Sequence, residues 1–232
     1  MSTSSPLKAV CALTLLAALA AQPVSAQTTT FDSDTSWSVT DASNNPIGSA
    51  QYVVLNSQYP TRQPAGATNY GSTAPTGWTA DLSSIPGAYW IWAPGITGAT
   101  APASLAQFSF SHQFFLNGTP TAGTISVAVD DFASVSVNGT LVGSTGSISD
   151  AHIAFQAQSG LATFNIEPYL TSGQNTILVH AQNGPDSFAG TAVNDPYSVN
   201  TAGVVFGGSL TSAPAVPEAS TTVSFGLLLT LG

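Results

Sequence analysis

Acidic side chains are the residues through which this chain could catalyse a reaction. Sugar hydrolysis requires two carboxyl groups that face each other across a cleft, about 5–10 Å apart. Asp130 and Asp131 are neighbours in the sequence, and neighbouring side chains of an extended strand point to opposite faces. We therefore expect both to support a turn or hairpin by accepting hydrogen bonds from nearby backbone amides. Glu167 has no identifiable partner and is interpreted as a loop residue.

The histidines and serines form no pattern typical of a catalytic site. His112, His152 and His180 are isolated and lack the short helical spacing of zinc motifs. We expect His112 and His180 to be hydrogen-bonded structural residues. The Gly-x-Ser-x-Gly turn of many serine hydrolases is also missing from the sequence. The sequence therefore predicts no catalytic residue.

Aromatic residues are the better candidates for a binding site. A carbohydrate site needs aromatic rings with amide or carboxylate groups at the rim, in a largely preformed pocket. Loops at the edge of a sandwich carry function more often than core strands do, which makes Tyr70, Trp78, Tyr89 and Tyr197 the candidate ligand-binding residues. Period-two alternation places Trp90 and Trp92 on one face of a strand, and we expect these two large rings to belong to the core.

Composition excludes several classes of partner. Only 6% of the 232 residues are charged, the formal net charge is −9, and Lys8 and Arg62 are the only cations. Phosphate backbones would be repelled by such a chain, so nucleic acid is excluded as a partner. The single cysteine, Cys11, falls within an N-terminal leader. The mature chain is therefore expected to have no disulfide and no cysteine metal site.

The N-terminal segment has the pattern of a secretory signal peptide. Within residues 1–26, Lys8 precedes a continuous apolar stretch from Val10 to Ala20, which is too short for a membrane-spanning helix. Small residues follow, so we predict cleavage between Ala26 and Gln27. The segment implies export across the inner membrane by the Sec machinery, to the cell envelope or the medium.

The C-terminal segment carries a second signal. The motif Val216, Pro217, Glu218 leads into an apolar run and resembles the PEP-CTERM sorting signal of exported proteins in Gram-negative bacteria that make exopolysaccharide. Ala219 replaces the second proline and no arginine-rich end follows, so we interpret residues 216–232 as a truncated or degenerate form of the signal. The resemblance implies processing by an exosortase and transient membrane contact through this segment.

The body of the chain is predicted to be all-β. Short alternating runs punctuated by Gly, Pro and Asn are typical of a sandwich, and we find no run of helical periodicity. We predict one β-sandwich domain over residues 27–210, followed by a linker at 211–215. Asn138-Gly139 predicts a two-residue hairpin turn. The predicted strands are 36–40, 50–55, 88–93, 107–116, 125–129, 134–137, 140–143, 152–155, 162–166, 176–182 and 203–210.

Part of this body resembles a known family. The Asp130-Asp131-Phe132 strand end, the Val135-Ser136-Val137-Asn138-Gly139 hairpin and the Gly173-Gln174-Asn175 strand entry resemble the galactose-binding-like jelly rolls appended to many glycosidases. The match covers about residues 125–183 and implies a jelly-roll sandwich, a fold that hosts many functions. Related sandwiches often hold a structural calcium, which makes the oxygen ligands of Asp32 and Asp34 candidates. The alternative is that both are ordinary polar residues near a strand.

Together these features indicate an exported, non-enzymatic envelope or extracellular protein that binds polysaccharide or contributes to an exopolysaccharide matrix. Two alternatives stay open. One is a structural surface protein without a defined ligand. The other is a carbohydrate-active enzyme whose site the sequence does not reveal.

Overall fold

The protein is an all-β sandwich. The computed structural model describes residues 25–54, 64–71, 78–79, 81–185 and 194–214. The first sheet contains β1 (Gln27–Asp32), β4 (Gln51–Val54), β5 (Thr68–Asn69), β6 (Ile91–Trp92), β8 (Thr119–Asp130), β11 (Ala162–Asn165) and β13 (Gly203–Ala213). The second sheet contains β2 (Ser38–Thr40), β3 (Pro46–Ser49), β7 (Gln107–Leu116), β9 (Phe132–Val137), β10 (Thr140–Gly146) and β12 (Gly173–Gln182).

The long strands β8 and β13 organise the first sheet, and β7 and β12 organise the second. The first sheet has the order β11-β8-β13-β6-β4-β5, with β1 also paired to β13. The second has the order β10-β9-β12-β7-β2-β3. All of these pairs are antiparallel except β4 with β5. Strands distant in sequence therefore meet in both sheets.

Alternation of burial along β12, and over part of β7, places one face of each of these two strands in the core. On β12, Ile177, Val179 and Ala181 are buried while the residues between them are partly exposed. On β7, Phe110 is fully buried, and Phe108 and Phe114 on the same face are partly buried. Each such side chain contributes roughly 1.5–3 kcal/mol through removal of apolar surface from water. The region around β6 departs from this rule, because Trp90, Ile91 and Trp92 are all buried.

The predicted hairpin between β9 and β10 is present. Asn138 and Gly139 have φ values of 51° and 81°, the positive values that a two-residue turn of this type requires. The Asn138 side chain also donates to the Tyr169 carbonyl at 2.9 Å and accepts from the Thr176 amide at 2.9 Å. The turn is thereby tied to the neighbouring strand β12.

The predicted strand at 152–155 is wrong, because these residues lie in helix α1 (Ala151–Ser159). Asp150 is the N-cap, and its carboxylate accepts from the amides of His152 and Ile153 at 2.9 and 3.2 Å. The helix buries Ala154 and Ala157, which are three residues apart and share one face. The N-cap at Asp150 and the burial of Ala154 and Ala157 on one face favour a helix over a strand here.

We expect Asp150→Ala to destabilise the protein by about 1 kcal/mol, because two amides at the start of α1 lose their acceptor. Asp150→Ser is the control, since a serine hydroxyl can take over the cap, and it is expected to cost much less. Chemical denaturation of the three proteins checks this. Equal stability of the alanine and serine variants would contradict it.

The structure describes the C-terminal end of the predicted domain but not the sorting motif that follows it. β13 runs to Ala213, so residues 211–213, predicted as linker, belong to a strand. The sorting motif Val216, Pro217, Glu218 lies outside the described residues. Among the described residues, no helix is both long enough and apolar enough to span a bilayer.

Candidate functional site

Three of the four aromatic residues predicted to bind ligand are core residues. Tyr70, Trp78 and Tyr197 are only 1%, 3% and 1% exposed. Tyr70 packs against Tyr197 with ring centroids 5.4 Å apart, and Trp78 stacks on Trp90 at 4.2 Å. These three side chains are therefore buried within the core, and none of them forms an exposed platform.

Tyr89 is the remaining member of that set, and it is partly exposed. Its ring packs edge-on against Tyr52, with centroids 5.2 Å apart. Its carbonyl accepts from the Ser33 hydroxyl at 2.7 Å, which joins the segment after β1 to the segment before β6. The structure therefore does not bring the four predicted residues together into one site.

Asp130 and Asp131 form a buried carboxyl pair, which the sequence analysis did not foresee. We expected them on opposite faces of a strand, yet both accept from the side-chain amide of Gln158, at 2.9 Å for Asp131. Asp130 also accepts from the Trp78 indole at 2.8 Å and from the Thr201 hydroxyl at 3.0 Å. We call Asp130, Asp131 and Gln158 the carboxyl cluster.

Burial sets the electrostatics of the carboxyl cluster. Desolvation raises the pKa of Asp130 well above its usual range, and the charge of the adjacent Asp131 raises it further. Desolvation also raises the pKa of Asp131, although the Gly184 amide donates to this carboxylate at 2.7 Å and opposes the effect. The described residues include neither lysine nor arginine, so no cation among them compensates two negative charges.

The carboxyl cluster is placed to hold the fold together. Asp130 and Asp131 are only 5% and 4% exposed, so a polymer cannot reach them. Through their hydrogen bonds they join the end of β8 to α1, to Trp78 and to the start of β13. Thr79 adds a bond from its amide to the Gln158 carbonyl at 2.7 Å. The pair thus links four parts of the chain.

A polar groove lies beside Asp32 and Asp34, the two predicted calcium ligands. Its volume is about 300 Å³. A second hollow of about 140 Å³, on the other side of Asp32, shares Thr30 and Asp32 with it. We call the larger of the two the Asp32–Asp34 groove, which is lined by Thr30, Phe31, Asp32, Asp34, Ser36, Trp37, Gly87 and His112.

Local bonding fixes the groove walls. The Asp34 carboxylate accepts from the amide and the hydroxyl of Ser36 at 2.7 and 2.6 Å. The buried Trp37 indole donates to the Asp32 carbonyl at 2.9 Å and packs against the His112 ring at 5.3 Å. A Cβ atom at Gly87 would collide with the Asp32 carboxylate, so glycine is needed there to make room for it.

Carboxylates, hydroxyls and an imidazole thus meet at one concave surface. These side chains can accept hydrogen bonds from the hydroxyl groups of a polar ligand and can donate hydrogen bonds to them. Within the described ranges, no group of three or more His, Cys, Asp or Glu side chains is arranged to hold a metal ion. A structural calcium at Asp32 and Asp34 stays a prediction.

Sequence patterns did not identify Gln158 as a partner of the carboxyl pair or His112 as a residue of the groove. Gln158 was missed because α1 was assigned to a strand, although Asp150 before a run of Ala and Gln is a helix-start signal. His112 shares the Phe110 face of β7 by strand alternation, and it also lines the groove. Alternation shows which face of β7 His112 lies on, but it does not show how close to the edge of the sandwich the residue lies.

Comparisons with known proteins give only partial likenesses. No protein-family model matches the chain, and no curated protein matches it significantly. Among solved structures, Streptomyces avermitilis α-L-rhamnosidase in complex with L-rhamnose is similar at 26% identity and a TM-score of 0.40, over 53% of this chain and 10% of that one. A β-D-glucuronidase for Dictyoglomus thermophilum has 10% identity, a TM-score of 0.39, and coverage of 82% and 28%.

A third similar structure is the Ruminococcus gnavus β-glucuronidase, with 14% identity, a TM-score of 0.39, and coverage of 82% of this chain and 30% of that one. The chain therefore spans less than a third of each of these three enzymes. Similarities with TM-scores of 0.40 and below assign neither a family nor an activity to this chain. The function is therefore inferred from the residues of the chain itself.

Proposed function

We propose that this is an exported, non-enzymatic carbohydrate-binding protein of the cell envelope or of an extracellular polysaccharide matrix. The observation that carries the proposal is the Asp32–Asp34 groove, in which two carboxylates, a histidine and the hydroxyls of Thr30 and Ser36 line one hollow. Sugars present neighbouring hydroxyl groups, and carboxylate oxygens are the strongest acceptors for such donors.

Charge supports a neutral ligand for this groove. The chain has a formal net charge of −9, and the described residues contain no Lys or Arg with which to bind an anion. A phosphate- or sulfate-bearing ligand would be repelled by two carboxylates at short range. Neutral sugar hydroxyls meet no such penalty.

The proposed location rests on the two sorting segments. The expected cleavage after Ala26 would leave Gln27 as the first residue, and β1 begins at Gln27. That coincidence between the end of the leader and the start of the folded domain supports export by the Sec machinery. Processing by an exosortase at the motif that begins with Val216 belongs to the same proposal.

Binding of the purified full-length protein to a glycan array and to insoluble polysaccharides, with and without calcium, tests the function. We expect Asp34→Asn to weaken glycan binding about tenfold, because a hydrogen bond to a charged group contributes roughly 1.5–3 kcal/mol. The asparagine oxygen can still accept from Ser36, so the variant should fold. Loss of binding on chelation would indicate that Asp32 and Asp34 act through calcium.

Asp81→Asn is the matched control for Asp34→Asn. Asp81 also accepts from an amide two residues later, that of Ser83 at 3.1 Å, but it lies outside the groove. Its replacement should leave glycan binding unchanged. The proposal fails if the folded wild-type protein binds no glycan, which would favour the structural alternative, or if both variants bind equally well. Release of reducing sugar by the wild-type protein would favour the enzyme alternative.

A further inference from the structure

An exposed aromatic ring stands on the outer face of the second sheet. Phe115 is 73% exposed, although burying a phenylalanine contributes roughly 1.5–3 kcal/mol. Gln113 shares its face of β7, and Gln174 lies directly opposite Phe115 on β12. The Gln174 side-chain amide donates to the Gln113 side-chain carbonyl at 2.9 Å. We call these three residues the Phe115 platform.

Two rows of mostly polar residues cross the sheet beside the platform. The strand registers align one row, Ser49, Ser38, Ser111, Leu178, Ser136 and Leu141. They align a second row, Thr40, Ser109, His180, Ser134 and Ser144. Neighbouring strands are about 4.8 Å apart, roughly the length of a pyranose ring. Leu178 and Leu141 interrupt the first row and Ser109 in the second row is buried, so hydroxyl groups recur at this spacing over only part of the face.

The described residues of the platform and of the two rows include no ionised side chain. None of them is Asp, Glu, Lys or Arg. The His180 ring lies 3.2 Å from the Ser109 hydroxyl, and burial lowers the pKa of His180, so the imidazole is neutral at neutral pH. An uncharged surface of hydroxyls and amides favours an uncharged polar partner.

We propose that the outer face of the second sheet binds an extended, neutral polysaccharide, with a sugar ring stacked on Phe115 and its hydroxyl groups bonded to Gln113 and Gln174. This inference rests on the proposed function and adds to it a second contact surface and the class of polymer. Aromatic rings supply large contact area at low cost in conformational entropy. Apart from Phe115, Leu141 and Leu178, the platform and the two rows consist of hydroxyl, amide and imidazole side chains. The core of a homodimer interface is more apolar than such a set, which argues against a second copy of the chain as the occupant.

The test measures binding of the full-length protein to a soluble neutral glucan, to a polyuronate and to short oligosaccharides of the neutral glucan. We expect Phe115→Ala to reduce affinity for the neutral polymer at least tenfold, with oligosaccharide binding at the Asp32–Asp34 groove unchanged and no binding to the polyuronate. Phe155→Ala is the matched control, because Phe155 is also exposed, at 56%, but lies on α1.

The outcomes separate this inference from the proposed function. If the wild-type protein binds glycan and Asp34→Asn weakens that binding while Phe115→Ala does not, the platform inference is overturned and the proposed function stands. If the wild-type protein binds no glycan, both fail. If Phe115→Ala changes the oligomeric state in sedimentation instead of glycan affinity, a second copy of the chain covers this face and the inference is overturned.

Discussion

Asp130→Asn is expected to gain stability relative to wild type as the pH rises above the ordinary aspartate pKa of about 3.9, so the difference between the two proteins should be larger at about pH 9 than at about pH 4. Asparagine keeps an oxygen that can accept from Trp78 and Thr201, and it removes one of two buried negative charges. Its amide group replaces the oxygen that accepts from Gln158, and this loss does not depend on pH. Each unit of difference between the folded and the unfolded pKa of Asp130 corresponds to about 1.4 kcal/mol in the free energy of unfolding. Such a change is large for a domain of ordinary stability.

The direction of this effect follows from the raised pKa of Asp130. The folded state holds the proton more tightly than the unfolded state does, so the stabilisation is complete below the ordinary aspartate pKa of about 3.9. It is lost as the pH rises through the raised folded value. The pKa values of Asp41 and Asp81 are lowered, so the stability that these two carboxylates contribute is present at neutral pH and is lost only in acid.

Melting temperatures of wild type and Asp130→Asn across this pH range provide the measurement, and the difference between the two proteins is the quantity to compare. His180, with a lowered pKa, gives an opposite trend near pH 6 in both proteins, so it cancels in that difference. The pKa of the buried Tyr70 is raised, and its titration lies above this range. Asp41→Asn, at an exposed site, is the control; parallel curves for wild type and Asp130→Asn would contradict the prediction.

Trp92→Ala is expected to destabilise the protein by about 3–5 kcal/mol, the usual cost of truncating a buried large aromatic residue. Trp92 is fully buried and connects the two sheets, because its ring packs against Phe108 and Phe110 of β7. Its indole also donates to the Tyr197 hydroxyl at 3.1 Å, and the truncation leaves that buried hydroxyl without this donor.

Denaturant unfolding of Trp92→Ala checks the prediction, with Phe115→Ala as the control. Phe115 is an aromatic residue of the same sandwich but is mostly exposed, so its truncation should change the free energy of unfolding by no more than about 0.5 kcal/mol. Equal losses in the two variants would contradict the assignment of Trp92 to the core. A stable Phe115→Ala variant also secures the binding test on the Phe115 platform.

The position of the carboxyl pair bears on the enzyme alternative. Asp130 and Asp131 meet at Gln158, but their burial separates them from the grooves at the surface. Asp32 and Asp34 face a groove, yet Asp34 is engaged by Ser36. Among the described residues, the Asp130–Asp131 pair therefore lies apart from the surface grooves.

The sequence by itself determined the fold class and much of the strand pattern. Alternation along β7 and β12, and the Asn138-Gly139 turn, are local properties, since side-chain parity and backbone φ depend on neighbouring residues alone. The same parity could have identified Phe115 as outward-facing, because it alternates with Phe108, Phe110 and Phe114 of the opposite face. Helix α1 was missed, although its cap at Asp150 was readable.

Only the tertiary structure decided which aromatic rings are buried and which polar groups meet. Tyr70, Trp78 and Tyr197 come from three separate segments, and their burial follows from the packing of those segments on one another. Asp130 reaches Gln158 across 28 positions of the chain, and β1 brings Asp32 beside Gly87 and Gly207. Such contacts arise from the pairing of distant strands, which residue periodicity does not encode.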